Sequence, residues 1–297
     1  MTSPNLNSDD ALVALRGAVE DCLTAAVNLG APVPASLRNA VSHALLGPSK
    51  RVRPVIVHLI ASDLSRIDPV ALQVGAAVEM VHTASLVLDD LPCMDDAATR
   101  RQRPATHKVY GEATAILASI ALLNRAFGIL AALEIEDAAT KLRLIETLEN
   151  AVGWNGLVAG QELDILGNVD GDRASAEHLN WLKTGVLFCA AAEMGGILRG
   201  MEVDKLGHIR EFARELGLAF QMADDLIDRT ATAQDAGKDV GKDRNKTNVV
   251  NLLGIEASRQ ACIEHLARAD AALVQSGIDP GPIRSLMARL FKLSGTA

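Results

Sequence analysis

A chain of 297 residues, 49% hydrophobic and 22% charged, can bury a sizeable core and is too apolar to remain disordered. Its formal net charge of -8 excludes a general nucleic-acid surface, so any anionic substrate must be held by local cations or bound metal. Cys22, Cys93, Cys189 and Cys262 are scattered without C-x-x-C spacing. They indicate neither a disulfide framework nor a zinc site, and with no secretory leader in view a cytoplasmic location is expected. The longest nearly unbroken apolar run, Ala115 to Leu123, is shorter than the about 20 residues of a bilayer span, so no transmembrane segment is expected.

Taken in chain order, residues 1–8 are polar and read as a loose tail. Pro32 and Pro34 follow a first helix, Pro54 sits where a third can start, and Pro69 opens a fourth. No proline lies between Pro104 and Pro280, which leaves room for long uninterrupted helices. Apolar residues there recur at helical spacing, as in Leu142, Ile145, Leu148 and Val152, or Phe212, Leu216, Ala219 and Met222. Alternating runs of the kind a strand needs are few. No repeat or linker divides the chain. The expectation is an all-α fold, one domain over 1–297, with about ten helices.

Two acidic clusters each follow an apolar stretch. Asp89-Asp90-Leu91-Pro92-Cys93-Met94-Asp95-Asp96 comes after Val81 to Leu88, and Asp224-Asp225-Leu226-Ile227-Asp228 after Leu218 to Ala223. Asp224 and Asp228 are four apart and stack on one helical face, where they repel unless cations intervene. Hard oxygen ligands without histidine or cysteine suit Mg²⁺, shared with water and substrate phosphates. Asp89 and Asp95 differ: six residues on an ideal helix leave them about 120° apart, so they meet on one metal only if Pro92 breaks the helix. An acidic cluster is ordinarily a solvated loop; two, each behind a nearly uncharged helical face, argue otherwise.

Cations accompany the acids. Lys50-Arg51-Val52-Arg53-Pro54 places three charges at a helix start, Arg100-Arg101-Gln102-Arg103 follows the first cluster, Lys183-Thr184 lies between, and Lys238, Lys242 and Lys246 follow the second. Such groups bind phosphate oxygens, and two cation groups beside two acidic groups fit two diphosphate sites, one of them metal-dependent.

These motifs, together with His82-Thr83-Ala84-Ser85 and Gly237-Lys238-Asp239-Val240-Gly241-Lys242-Asp243, resemble in order those of the trans-isoprenyl diphosphate synthases. Within that family they are most similar to bacterial geranylgeranyl diphosphate synthases of the carotenoid type, and the stretch Tyr110-Gly111-Glu112 to Ala126-Phe127-Gly128 shares the likeness. The resemblance covers about residues 40–255. It implies a bundle of long helices around a central cavity, usually a homodimer, that condenses isopentenyl diphosphate with an allylic diphosphate. By that likeness Lys50, Arg53, His82 and Arg101 hold isopentenyl diphosphate. Asp89, Asp90 and Asp95 hold Mg²⁺ on the allylic diphosphate, which Arg100, Lys183, Thr184, Gln221 and Lys238 contact; Asp224, with Asp228, holds a further Mg²⁺. Lys183, Gln221, Asp89 and Asp224 are thereby the catalytic set. Without the resemblance, His82 on its apolar helix would read as a core residue.

Two positions depart from the family pattern: Gly47-Pro48-Ser49 stands where paired glycines precede the lysine, and Gln102 where glycine follows the paired arginines. Neither removes a charged ligand. Product length is expected to depend on Ala84 and Ser85, because a residue five before Asp89 lies about 7.5 Å deeper along the helix. Their small size leaves the floor open, a C20 product follows, and Met80 and Val81 are candidates to stop growth. The alternatives are a farnesyl diphosphate synthase, a terpene cyclase and a non-catalytic partner subunit. A cyclase is disfavoured by only 3% aromatic residues, and a non-catalytic subunit by the intact acids and arginines.

Overall fold

The computed structural model describes residues 8–28, 32–167, 173–230, 250 and 253–291. Among these, thirteen α-helices and one two-stranded hairpin follow in order. They are α1 (Ser8–Val27), α2 (Ala35–Leu45), α3 (Val52–Ala61), α4 (Pro69–Asp89), the hairpin strands β1 (Thr99–Arg100) and β2 (Arg103–Pro104), α5 (Thr106–Tyr110) and α6 (Glu112–Ala131). Then come α7 (Ala138–Val152), α8 (Leu157–Leu166), α9 (Arg173–Asn180), a π-helical turn (Trp181–Gly185), α10 (Val186–Leu198), α11 (Val203–Thr230), α12 (Ile255–Ser276) and α13 (Gly281–Leu290).

The prolines act as helix starts. Pro34 precedes the first residue of α2, and Pro69 opens α4 behind Asp68, whose carboxylate accepts from the N–H groups of Val70 and Ala71. Pro54 is the third residue of α3, where a missing N–H costs no intrahelical bond. Pro92 stands just beyond the end of α4.

α3 is buried along Val52–Ile60 and lies with α10 between two apolar clusters. One joins α3 and α10 to α11, α12 and α13 through residues such as Phe188, Phe212, Leu216 and Leu273. The other joins α10 to α1, α2, α4, α6 and α7 through Leu23, Met80, Leu122, Leu144 and Met194. This scaffold gathers the α2–α3 loop, the end of α4, the hairpin, the π-turn and the last turns of α11.

The nine-residue run at 115–123 understates the apolar stretches. By length and composition alone, Pro69–Asp89, Glu112–Ala131 and Ser175–Leu198 are each long and apolar enough to cross a bilayer. For the first and third, 67% of the apolar window is buried inside the chain, so their apolar faces are covered by neighbouring helices. In α6 the figure is 39%, and Ile116, Leu117 and Ile120 are exposed along it.

Candidate active site

The cationic side of the site begins at the loop between α2 and α3. Arg51 adopts a left-handed conformation, φ 51°, immediately before α3, and its guanidinium is buried. Lys50 beside it is exposed, with Nζ 5.8 Å from the centroid of the Phe220 ring. Arg53 turns the other way: it is buried, lies 4.4 Å from the centre of the Phe188 ring, and has no hydrogen-bond partner at Nε. Burial lowers its pKa, with Glu79 opposing, Arg101 reinforcing and Asp224 opposing, to about 10. It therefore stays charged at neutral pH.

His82, on α4, meets Arg101 with 3.4 Å between Nε2 and Nη2. Burial first, then Arg53, Arg101, Arg100 and Arg51, hold its pKa well below the ordinary histidine value. The ring is neutral, so Nε2 accepts from Arg101 and Nδ1 carries the proton. Arg53, His82 and Arg101 thus come together, with Lys50 at the rim.

Arg101 is carried by the hairpin, where Arg100 pairs with Arg103 around a two-residue loop. Both loop residues have positive φ, 53° at Arg101 and 63° at Gln102, as a type I′ turn requires. The family departure at Gln102 therefore places a side chain in left-handed backbone that glycine adopts freely. The hairpin is anchored to α2: His43 Nε2 donates to the Pro104 carbonyl at 2.9 Å, and Arg103 Nη2 donates to His43 Nδ1 at 2.9 Å.

At the first acidic cluster α4 stops at Asp89, and the chain doubles back after Pro92. The N–H groups of Met94 and Asp96 donate to Leu91 O, and that of Asp95 to Asp89 O at 2.9 Å. The turn returns Asp95 to Asp89, which helical spacing alone forbids. Burial pushes the Asp89 pKa up, Lys183 opposes and Asp95 adds, bringing it to about 6.

Asp90, expected with Asp89 and Asp95 among the metal ligands, is paired with the hairpin. It is 2% exposed, and its Oδ1 accepts from Arg100 Nε at 2.9 Å and Nη2 at 2.5 Å. A carboxylate one residue beyond Asp89 is rotated by about 100°, which turns Asp90 toward the hairpin. Asp90 thus anchors Arg100, one edge of which is occupied by that pairing.

The second half of the site is built on the π-turn. Lys183 Nζ pairs with Asp164 Oδ2 of α8 at 2.5 Å, and Thr184 Oγ1 donates to Gln221 Oε1 of α11 at 2.9 Å. Gln221 Nε2 in turn donates to Asp225 Oδ1 at 2.8 Å. Close backbone approach makes these bonds possible. A Cβ added to Gly217, one turn before Gln221, would sit 3.1 Å from Gly185 Cα, and one added to Gly160 would sit 2.7 Å from Leu182 Cβ. Lys183 is the strongest charge acting on Asp89, and Asp224 acts on Arg53, so the two acidic clusters and the cations share one region. Asp228 lies on α11, its side chain outside the described residues, as is Lys238 altogether. Asp164 was not singled out from sequence; its signal is a lone carboxylate in an otherwise uncharged turn after Glu162.

A family model for polyprenyl synthetase matches residues 34–279 of this chain. The chain belongs to the polyprenyl synthetase family. It is 42% identical over 240 residues to a geranylgeranyl diphosphate synthase of Pantoea ananas, covering 79% of this chain and 78% of that one. Identity to the geranylgeranyl diphosphate synthase of Pseudescherichia vulneris is 41%, over 84% of this chain and 81% of the relative. Among solved structures, a Helicobacter pylori geranyltransferase complexed with magnesium and isoprenyl diphosphate superposes with a TM-score of 0.85 at 27% identity, covering 98% of this chain and 99% of that one.

Placed in a polyprenyl synthetase, the chemistry of Asp89 and Asp95 fits a hard divalent cation. Among the described residues no three His, Cys, Asp or Glu side chains form a ready cluster. Asp89 and Asp95 would offer two carboxylates to such a cation, whose other ligands would come from water and phosphate. A half-buried carboxylate whose pKa rises to about 6 beside a like charge gains from such a cation.

One face of α4 runs back from Asp89. His82, Ser85, Leu86 and Asp89 are partly exposed and share one stripe at spacings of three and four, whereas Thr83, Ala84 and Val87 are buried. Ser85 Oγ donates to His82 O at 2.9 Å on that stripe. Ala84 is fully buried, and its carbonyl accepts from Ser119 Oγ of α6 at 2.8 Å. Ser85 therefore shares the Asp89 face and Ala84 does not.

Proposed function

We propose that the protein is a magnesium-dependent geranylgeranyl diphosphate synthase that joins isopentenyl diphosphate to allylic diphosphates of five to fifteen carbons, releasing pyrophosphate. The observation that carries this is the gathering of Arg53, His82 and Arg101 on one side and of Lys183 and Thr184 beside Asp89 on the other, with Asp224 acting on Arg53. Relatives above 40% identity that bear the geranylgeranyl diphosphate synthase name support the C20 product.

Asp89 and Asp95, and Asp224 with Asp228, would hold Mg²⁺, which when bound would neutralise charge on the allylic diphosphate. Lys183 and Thr184 orient that diphosphate as the allylic C–O bond breaks, and Lys183 stabilises the developing negative charge. Arg53, His82 through its Nδ1 proton, Arg101 and Lys50 hold the second diphosphate so that its alkene faces the electrophilic carbon. Gln221, fixed between Thr184 and Asp225, presents amide dipoles to the cationic end. A proton is then lost to the departed pyrophosphate, since the neutral His82 faces arginines.

The same proposal includes a homodimer and a cytoplasmic location. The exposed apolar face of α6, with Ile116, Leu117 and Ile120, is supporting surface for a second copy. Cysteines Cys22, Cys93, Cys189 and Cys262 are all free, in keeping with a reducing compartment.

The deciding experiment incubates purified protein with labelled isopentenyl diphosphate and each of dimethylallyl, geranyl and farnesyl diphosphate, with Mg²⁺ or EDTA. Geranylgeranyl diphosphate is expected from every primer, and none with EDTA. A hydrocarbon released from geranylgeranyl diphosphate alone would indicate a cyclase instead.

A further inference from the structure

Arg51 has no role in the chemistry above, yet it is the most thoroughly bound side chain in this region. Its Nε donates to Glu20 Oε1 at 2.8 Å, Nη1 to Glu79 Oε1 at 2.9 Å, and Nη2 to Glu20 Oε2 at 3.0 Å, Leu45 O at 2.6 Å and Gly47 O at 3.2 Å. Glu79 is 1% exposed on α4, one turn before His82, and its Oε1 also accepts from Ser49 Oγ at 3.2 Å. Ser49 Oγ accepts from the Arg51 N–H at 3.3 Å, and Arg16 Nη2 donates to Ser49 O at 2.7 Å. The carbonyls of residues 45, 47 and 49 are thus all tied, and the next side chain, Lys50, is left exposed.

Left-handed backbone at a non-glycine residue persists only where its surroundings over-determine it. At Arg51 the over-determination is this network, and the bend it maintains separates two directions. Lys50 before it projects toward Phe220, and Arg53 after it turns inward over Phe188. Breaking the bend re-aims both. Glu79 has a second effect, because its charge steadies the guanidinium ions of Arg53 and Arg101 against their burial.

We propose that Arg51, clamped between Glu79 and Glu20, is a positioning residue that sets Lys50 and Arg53 for isopentenyl diphosphate, with Ser49 as the tie specific to this loop. The assignment rests on the function proposed above and goes beyond it: the network is built on α1, α2, α3 and the middle of α4, whereas the allylic side is built on the end of α4, the π-turn and α11. It therefore governs one substrate and not the other. The serine standing in place of the usual glycine becomes a functional contact in this chain.

The test uses the full chain. Arg51→Lys keeps the buried charge but cannot span the same acceptors, and Ser49→Gly deletes the hydroxyl without changing charge. Folding is checked by thermal melting, isopentenyl diphosphate binding alone by calorimetry, and KM for each substrate and kcat by steady-state turnover. KM and Kd for isopentenyl diphosphate are expected to rise about tenfold in Arg51→Lys and about threefold in Ser49→Gly, with farnesyl diphosphate KM and kcat within about twofold. Equal weakening of both substrates, or no change for isopentenyl diphosphate, overturns the assignment. If Arg51→Lys does not fold, Ser49→Gly decides. A wild-type protein that binds isopentenyl diphosphate without condensing it overturns the proposed function, and calorimetry on the variants still decides the positioning role; absence of wild-type binding overturns both.

Discussion

Ser85 and Ala84 are adjacent in sequence, yet replacing each with phenylalanine is expected to give opposite outcomes. Ser85 is four residues before Asp89, which puts it about 6 Å deeper along the helix and within about 40° of the same face. A ring there enters the space of the growing chain. Excluding one isoprene unit of five carbons forfeits about 4 kcal/mol of apolar burial, at about 0.8 kcal/mol per carbon, or roughly three orders of magnitude in favour of release before the last condensation. Ser85→Phe should therefore convert the product from C20 to C15 or shorter at near wild-type melting temperature. Ala84 is fully buried, and its carbonyl is bonded to Ser119 of α6. Ala84→Phe overpacks that site at a cost of about 1–3 kcal/mol, lowering the melting temperature by several degrees. Chromatography of labelled products and thermal melts of both variants decide the matter. If Ala84→Phe shortens the product without loss of stability and Ser85→Phe leaves C20 intact, the face assignment is wrong.

Further outcomes follow from the same geometry. Gly160→Ala drives a methyl to 2.7 Å from Leu182 Cβ, so α8 must withdraw from the π-turn; a fall in kcat and a loss of about 1–3 kcal/mol in denaturant unfolding are expected. Gln102→Gly relieves left-handed backbone at a hairpin loop and should stabilise the protein by about 1 kcal/mol, seen as a melting temperature raised by a few degrees. His82 is held neutral, so its folded pKa lies below its unfolded value of about 6.5; below that pH the unfolded state binds a proton that the native state does not. Stability should fall as pH drops below about 6.5, and His82→Gln should flatten this slope in melts between about pH 5 and 7. A variant with an unchanged slope would remove His82 as its source.

Much of the helical architecture was legible because helix punctuation is local. Pro34 and Pro69 mark the starts of α2 and α4, and the apolar residues from Phe212 to Met222 lie on the core face of α11. The acid motifs were legible for the same reason. The hairpin at 99–104 was not, since two-residue strands carry no alternation to detect. The apolar character of α4 and α6 was underestimated by counting an unbroken run, because isolated polar residues interrupt it without ending the helix. The pairings of Asp90 and Asp164 were not legible because their partners, Arg100 and Lys183, come from other elements.

The order of charged motifs along the helical chain points by itself to phosphate and hard-cation ligands, because residue chemistry and helical spacing are local properties. Three-dimensional packing alone decided that Asp95 folds back to Asp89 and that the Arg51 guanidinium is tied to the backbone carbonyls of the loop before it. Each of these depends on which distant group fills the space beside a side chain. Hydrogen bonds and burial between such groups are set by how the helices meet.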